Sequence, residues 1–349
     1  MPGWSQRLQR AWTARGPLAA ALLPLALVYG VLSAVRRISY RLGWLRVERL
    51  SVPVIVVGNL VAGGAGKTPT VLALVELLRR HRYTPGIVSR GYGGAVAGVL
   101  EVEPDTPATL CGDEPLLLRR RSAAPVHVGR DRVAAARALL HRHREVDIVV
   151  SDDGLQHFRL ARDVEVLVFD ERGAGNGWLL PAGALRAALP RVAPARSLVL
   201  YNAPQPTTPL PGHLARGRLS GAVALRDWWR GEPVRPDLLE GLRGRAVIAA
   251  AGMARPERFF AALRAIGVDV VPLALPDHFD YATLPWPEST TDVIVTEKDA
   301  VKLDPARIGA ARVWVAALDF VPAPGFEAEL LRLLAGLSAT ASAHGNSTA

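Results

Sequence analysis

The residues best equipped for chemistry lie in one short run. From Val52 to Leu78 the chain reads VPVIVVGNLVAGGAGKTPTVLALVELL. A β-branched strand pattern passes into a glycine-rich turn and then into a helical pattern. Gly63, Gly64 and Gly66 permit the backbone angles that turn consecutive N–H groups toward an anion. Lys67 can then reach the outer phosphates of a bound nucleotide, and the Thr68 hydroxyl can ligate Mg²⁺. Val61 stands where the usual phosphate-loop spacing has its first glycine, and Gly58 at the strand end is expected to provide the exit instead. Pro69 is acceptable in a first helical turn, where its missing N–H has no intrahelical partner. The competing reading is a tight turn with an exposed lysine, but the Gly-Gly-x-Gly-Lys-Thr run serves no packing need. Residues Val61, Ala62, Gly63, Gly64, Ala65, Gly66, Lys67 and Thr68 are therefore the expected nucleotide contacts.

A triphosphate site also needs an acidic metal partner at the end of another strand. VDIVVSDDGLQH supplies Asp152 and Asp153 after a buried apolar run. A second acidic pair, Asp113 and Glu114, precedes a helical pattern in CGDEPLLL, where a carboxylate is equally an ordinary helix cap. SRGYGG (89–94) is another glycine loop carrying an arginine. His278 lies between Asp277 and Asp280 in LPDHFDY, and a lone histidine is often only structural.

These groups must be held by a fold. Apolar β-branched runs at 52–57, 86–89, 125–128, 146–153, 164–170 and 197–202 alternate with helical periodicity, the pattern of a parallel sheet covered on both faces. The pattern weakens from Asn202 to Arg243 and resumes with a second alternation. The expected class is α/β: a phosphate-loop NTPase-like parallel-sheet domain (45–205), a linker region (206–243) and a smaller α/β domain (244–337). Residues 1–44 form an apolar membrane-associated helix with a basic flank, and 338–349 a disordered tail.

The N-terminal run Pro17–Val35 carries no charge. As a helix it would measure about 28 Å at ~1.5 Å per residue, close to a ~30 Å hydrocarbon core. A cleaved signal peptide is the rival, but it would export the nucleotide loop away from ATP. Whether the run spans the bilayer or lies in one leaflet stays open. Arg36, Arg37, Arg41, Arg46 and Arg49 follow it and argue that the body is cytoplasmic. The net charge of +10 favours an anionic partner, and no aromatic-interleaved basic motif points to nucleic acid. A single cysteine, Cys111, excludes an intrachain disulfide.

In combination and order, VGNLVAGGAGKTPTV, SRGYGG, GDEP, VGRDR, DDGLQH, FDERGAGNGWLLPAGALR, PERFF, PDHFDY and VTEKDAVKL resemble the tetraacyldisaccharide 4′-kinases, the lipid A pathway kinases of Gram-negative bacteria. The resemblance runs to about residue 335. It implies transfer of the γ-phosphate of ATP, with Mg²⁺, to the 4′-hydroxyl of an acylated glucosamine disaccharide 1-phosphate at the cytoplasmic face of the inner membrane. No obligate protein partner is implied. By the same match Asp113 is the base, paired with His278 across a domain cleft and engaged on closure. Arg90, Tyr92, Glu114, Gln156, His157 and Arg186 become candidates for substrate binding, and Arg119, Arg120, Arg121, Arg130 and Arg132 for the substrate's phosphate or lipid headgroups. The family often has Glu-Pro after LPAG-x-LR, whereas Ala187 and Ala188 stand here, and Val61 and Ala65 replace threonines. The alternative is a membrane-associated ATPase switch that transfers nothing to a sugar. Such loops need a lysine directly before the paired glycines, and Ala62 occupies that place.

Overall fold

The strand patterns become strands with small shifts at their ends. The computed structural model describes Leu8 and residues 10–345. In chain order, helices α1 (Pro17–Ala21) and α2 (Leu23–Arg41) lead to β1 (Val54–Gly58), α3 (Lys67–Arg80) and β2 (Pro85–Ser89). Then come β3 (Val99–Val102), α4 (Ala108–Cys111), α5 (Asp113–Ser122), β4 (Val126–Gly129) and α6 (Arg132–Arg142). Strands β5 (Ile148–Asp152), β6 (Val164–Asp170), β7 (Ser197–Asn202) and β8 (His213–Ala224) follow. The chain ends with α7 (Leu225–Arg230), α8 (Pro236–Glu240), β9 (Ala246–Ala251), α9 (Pro256–Ala265), β10 (Asp269–Ala274), β11 (Asp292–Thr296), α10 (Glu297–Ala300), β12 (Arg312–Pro322) and α11 (Pro324–Gly345).

Two compact units are interleaved along this chain: residues 1–90, 131–216 and 322–349 form the first, and 91–130 with 217–321 the second. In the first, the start of β8 and strands β7, β6, β1, β5 and β2 pair in that order, all parallel. Strands β1, β2, β5, β6 and β7 are buried almost throughout, so alternation is absent and the β-branched runs are unbroken. Val54, Val56, Val149, Leu167, Phe169 and Tyr201 sit in its core. Helix α3 buries Val71, Leu74, Val75 and Leu78, the one-face spacing of an amphipathic helix.

The second unit has its own parallel sheet, β10-β9-β11-β12, with Phe260 and Leu263 of α9 packed in its core. An antiparallel pair, β3 with β4, also belongs to this unit. The stretch 206–243 holds the twelve-residue strand β8 and two short helices, with Trp228 and Trp229 in α7 and Pro236 opening α8. The expected tail from 338 falls partly on α11 and, from 346, outside the described residues.

The apolar N-terminal run is two helices, because Pro24 sits in the first turn of α2 rather than inside one long helix. Among the described residues no helix is long and apolar enough to cross a membrane.

Candidate functional site

In the first unit the phosphate loop leaves the carboxyl end of β1, where ligands of open parallel sheets bind. Register sets its neighbours. Val57 of β1 lies beside Asp152 of β5, and Asp170 of β6 lies beside Asn202 of β7. Four strand ends thus meet the loop.

Val61 has a structural answer. It is 2% exposed and forms an antiparallel bridge with Leu185. The Ala62 N–H donates to the Ala184 carbonyl (2.8 Å) and Arg186 N–H to the Leu60 carbonyl (2.7 Å). The chain is extended here, so a β-branched side chain suits the position and a glycine is not required. Gly58 does not make the turn, contrary to expectation. A Cβ there would lie 2.7 Å from Leu155 Cγ, so close packing is what excludes a side chain. The turns are made at Gly63 and Gly66, with φ of 94° and 92°.

Lys67 opens α3 with its ammonium 3.6 Å from Asp153 Oδ1 and 3.4 Å from Asn59 Oδ1. Arg186 Nη1 approaches the same Asp153 carboxylate at 3.3 Å. Asp153 has φ of 46°, a left-handed conformation that aspartate tolerates. Asp152 is buried and accepts from the Ser89 hydroxyl at 3.0 Å. Arg132, itself buried, donates to the Asp152 carbonyl at 3.3 Å, and its burial pulls its pKa down to about 10. Gln156 donates to the Asn59 carbonyl (3.3 Å). His157 is driven to a pKa of about 4 by burial and by Arg132, so its ring is neutral at physiological pH. Arg90 is exposed at the end of this unit's segment.

In the second unit Asp113 is the first residue of α5. Gly112, at φ 92°, holds the cap position with no side-chain cap bond, so the ordinary-cap reading of Asp113 does not hold. Its carboxylate is buried and meets His278 Nδ1 at 2.9 Å through Oδ2. The two belong to one unit because 91–130 fold with 217–321. Their pairing was expected across a domain cleft, and it is internal instead. His278 has φ of 61°, an uncommon conformation found where surroundings over-determine a residue. Tyr92 covers its ring at 5.6 Å between centroids.

Sequence reasoning missed what stands behind Asp113. Lys302 Nζ lies 3.7 Å from Asp113 Oδ2 and 3.3 Å from Asp299 Oδ1. Asp299 is fully buried and accepts from the Gly252 N–H (3.1 Å) and the Thr296 hydroxyl (2.7 Å). Lys298 pairs with Asp277 (2.8 Å) and approaches Glu114 (3.7 Å). VTEKDAVKL therefore delivers two lysines, one turn apart, to the carboxylates of two distant segments. The burial of Asp113 works against its charge. The His278 bond, then the charges of His278, Lys302 and Lys298, prevail and hold it below the usual carboxylate range. The Asp113 bond in turn raises His278, against the opposing pull of burial. Cys111 nearby is inert: burial pushes its thiol up to about 11.

Most of the arginines proposed for substrate are engaged elsewhere. Arg119 donates to the Val102 carbonyl. Arg120 lies between the rings of Trp228 and Trp229 at 4.6 and 4.3 Å. Arg121 pairs with Glu297 and Asp319. Arg130 stays exposed.

Known proteins resemble this chain along nearly its whole length. The family model described as Tetraacyldisaccharide-1-P 4′-kinase matches residues 18–335. A protein named tetraacyldisaccharide 4′-kinase from Methylibium petroleiphilum is 57% identical over 336 residues, covering 95% of this chain and 94% of that one. Its namesake from Leptothrix cholodnii is 56% identical over 332 residues, covering 94% and 95%. The crystal structure of LpxK from Aquifex aeolicus, in complex with ATP, superposes with a TM-score of 0.73 at 26% identity, covering 90% of this chain and 99% of that one. With the loop, the acidic strand end and the order of motifs in place, the chain belongs to the tetraacyldisaccharide-1-P 4′-kinase family.

Proposed function

We propose that this chain transfers the γ-phosphate of ATP to the 4′-hydroxyl of a tetraacylated glucosamine disaccharide 1-phosphate. The observation that carries the reading is the Asp113–His278 pair. Its buried carboxylate, kept charged by a histidine and two lysines, is suited to take the proton of an alcohol acceptor. In the first unit the loop N–H groups and Lys67 bind the polyphosphate and offset the charge that develops on its oxygens. In the second, Asp113 accepts the hydroxyl proton, and His278 orients the carboxylate and shares its charge.

Mg²⁺ fits the donors present. Thr68 at the start of α3 and Asp152 at the end of β5 offer hard oxygen ligands, leaving the remaining positions to phosphate and water. Bound there, the ion would neutralise phosphate charge. Asp153 is already shared between Lys67 and Arg186, so Asp152 is the better placed of the two carboxylates. Tyr92, Glu114, Gln156 and Arg186 stand as substrate contacts.

The acceptor's acyl chains keep it in a bilayer, and α2 suits work at that surface. Its inner face is anchored: Ala26 is buried and the Tyr29 hydroxyl donates to the Arg186 carbonyl (2.8 Å). Its outer face exposes Leu27 at 70%, Val28, Val31, Leu32 at 65%, Val35 and Ile38, a stripe wide enough to enter the acyl boundary while the helix lies flat. Trp44, 74% exposed, and the arginines from Arg36 to Arg49 suit the headgroup zone. Each arginine adds about 1 kcal/mol on an anionic surface. These features support a site of action at the cytoplasmic face of the inner membrane.

The test of function is transfer of label from γ-labelled ATP to a tetraacyl disaccharide 1-phosphate in detergent micelles, beside a no-lipid control. Labelled lipid is the expected product. ATP hydrolysis without labelled lipid, on folded protein, would favour the switch. For the membrane, Leu27→Glu with Leu32→Glu should abolish flotation with anionic vesicles while ATP affinity stays unchanged. Unaltered flotation would remove α2 as the docking face.

A further inference from the structure

Four consecutive carbonyls of the phosphate loop are each held by a side-chain donor. Arg172 Nη1 donates to Ala62 O at 3.0 Å and its Nη2 to Gly64 O at 3.1 Å. Asn59 Nδ2 donates to Gly63 O at 2.9 Å, and Asn202 Nδ2 to Ala65 O at 3.3 Å. The peptide unit is planar and trans, so the C=O of one residue and the N–H of the next point opposite ways. Fixing the carbonyls of residues 62 to 65 therefore fixes the N–H directions of Gly63, Gly64, Ala65 and Gly66. Those are the groups a polyphosphate must find.

The donors are themselves held. Asp170, 2% exposed, takes the Arg172 Nε at 3.0 and 3.1 Å and its Nη2 at 3.0 Å, which sets the plane of the guanidinium. Asp170 and Asn202 are register partners at the ends of β6 and β7, so two strands of the sheet present both braces together. The glycines leave room for them. A Cβ on Gly63 would lie 2.9 Å from Arg172 Nη1, and one on Gly66 2.5 Å from Asn202 Nδ2. Gly63 and Gly66 thus serve two needs at once, a positive φ and space for a donor.

We infer that Arg172, with Asn59 and Asn202, is a positioning residue that holds the phosphate loop in its binding shape before nucleotide arrives. The inference rests on the reading of this loop as the ATP site. A preformed loop has less to order on binding, and that saving appears as affinity. The fork of Arg172 is essential because one residue spans two carbonyls. A lysine brings the charge but cannot bond both from a fixed plane.

The test is calorimetric binding of Mg-ATP, and separately of inorganic tripolyphosphate as a probe of the loop alone, to Arg172→Met, Arg172→Lys and Asn202→Ala. The acceptor KM and the melting temperature are measured beside them. Both Arg172 variants should lose about tenfold or more in affinity for both ligands, with acceptor KM within about twofold and melting within a few degrees. Asn202→Ala should lose about threefold, and the Arg172→Met/Asn202→Ala double variant less than the product of the singles, since both hold one loop. Wild-type affinity in Arg172→Met would overturn the brace, and so would full rescue by lysine, which would make charge alone the cause. Should Arg172→Met fail to fold, Arg172→Lys and Asn202→Ala decide the matter by the same criteria. Lys67→Ala separates the two layers. Loss there without loss in the Arg172 variants sinks only the brace, and no loss there sinks the loop reading as well.

Discussion

The phosphate loop and the Asp113–His278 pair place charge by opposite means. The loop presents backbone, held by side chains: Arg172, Asn59 and Asn202 bond its carbonyls. The pair presents side chains, held by other side chains: Asp299 fixes Lys302, which faces Asp113, which bonds His278. Backbone dipoles do not titrate, so the loop's affinity for phosphate changes little with pH on the protein's side. The pair is made of titrating groups, and pH should act on it directly. The first arrangement suits binding and charge neutralisation; the second suits a proton that must move.

Removing the one charged side chain the loop itself contributes is the severest break. Lys67→Ala deletes the ammonium at the outer phosphates and should lower transfer by at least about a thousandfold, measured as labelled lipid. Turnover near wild type would remove the loop from the mechanism. Asp113→Asn keeps the shape of the pair but cannot accept a proton. It should cost about 10²–10⁴-fold in turnover while Mg-ATP affinity stays within about twofold. A parallel loss of ATP affinity would mean that Asp113 supports the nucleotide rather than the acceptor.

The histidine sharpens the contrast through pH. Asp113 is held below its ordinary 3.8, so its contribution to stability is present above that value and lost as pH falls through the folded one. His278 is raised above its ordinary 6.5, so its contribution is full below 6.5 and lost as pH rises through the folded value. Both hold between the two ordinary values. His278→Asn removes the bond and charge that oppose the burial of Asp113, so the carboxyl must titrate higher. The acid limb of the pH–rate profile should move up, with turnover near neutrality down by about ten- to a hundredfold. An unmoved acid limb would detach His278 from the basicity of Asp113.

The two regions also differ in how far the sequence discloses them. The loop is contiguous: glycines, Lys67 and Thr68 lie within six residues, and unbroken apolar runs announce the parallel strands around it. Asp113 and His278 stand 165 residues apart, and nothing local says that they meet; only the resemblance to a family pairs them. Lys302 and Arg172 are hidden for the same reason, since a lysine in a helical turn and an arginine after a strand look like solvated surface until the fold closes. Residues 91–130 sit between two strands of the first sheet yet fold with the second unit. A contiguous reading of domains assigns them to their sequence neighbours instead.

Val61 offers the finest division between loop chemistry and loop support. If its work is to pack and to bridge Leu185, then Val61→Gly leaves every phosphate-facing N–H in place and removes buried surface. Burial of a valine side chain is worth about 1.5–3 kcal/mol, and glycine's extra freedom in the unfolded chain costs about 0.5–1 kcal/mol more. The variant should unfold at lower urea, by a shift corresponding to about 2–4 kcal/mol, while transfer at 25 °C stays within about threefold. The brace explains why activity should survive: Arg172 and Asn202 hold the turn from the far side, and the first of the four held carbonyls lies one residue beyond the substitution. A glycine that instead left stability unchanged and raised ATP affinity would show that Val61 constrains the phosphate contacts themselves. The extended bridge to Leu185 would then be part of the loop's chemistry rather than its footing.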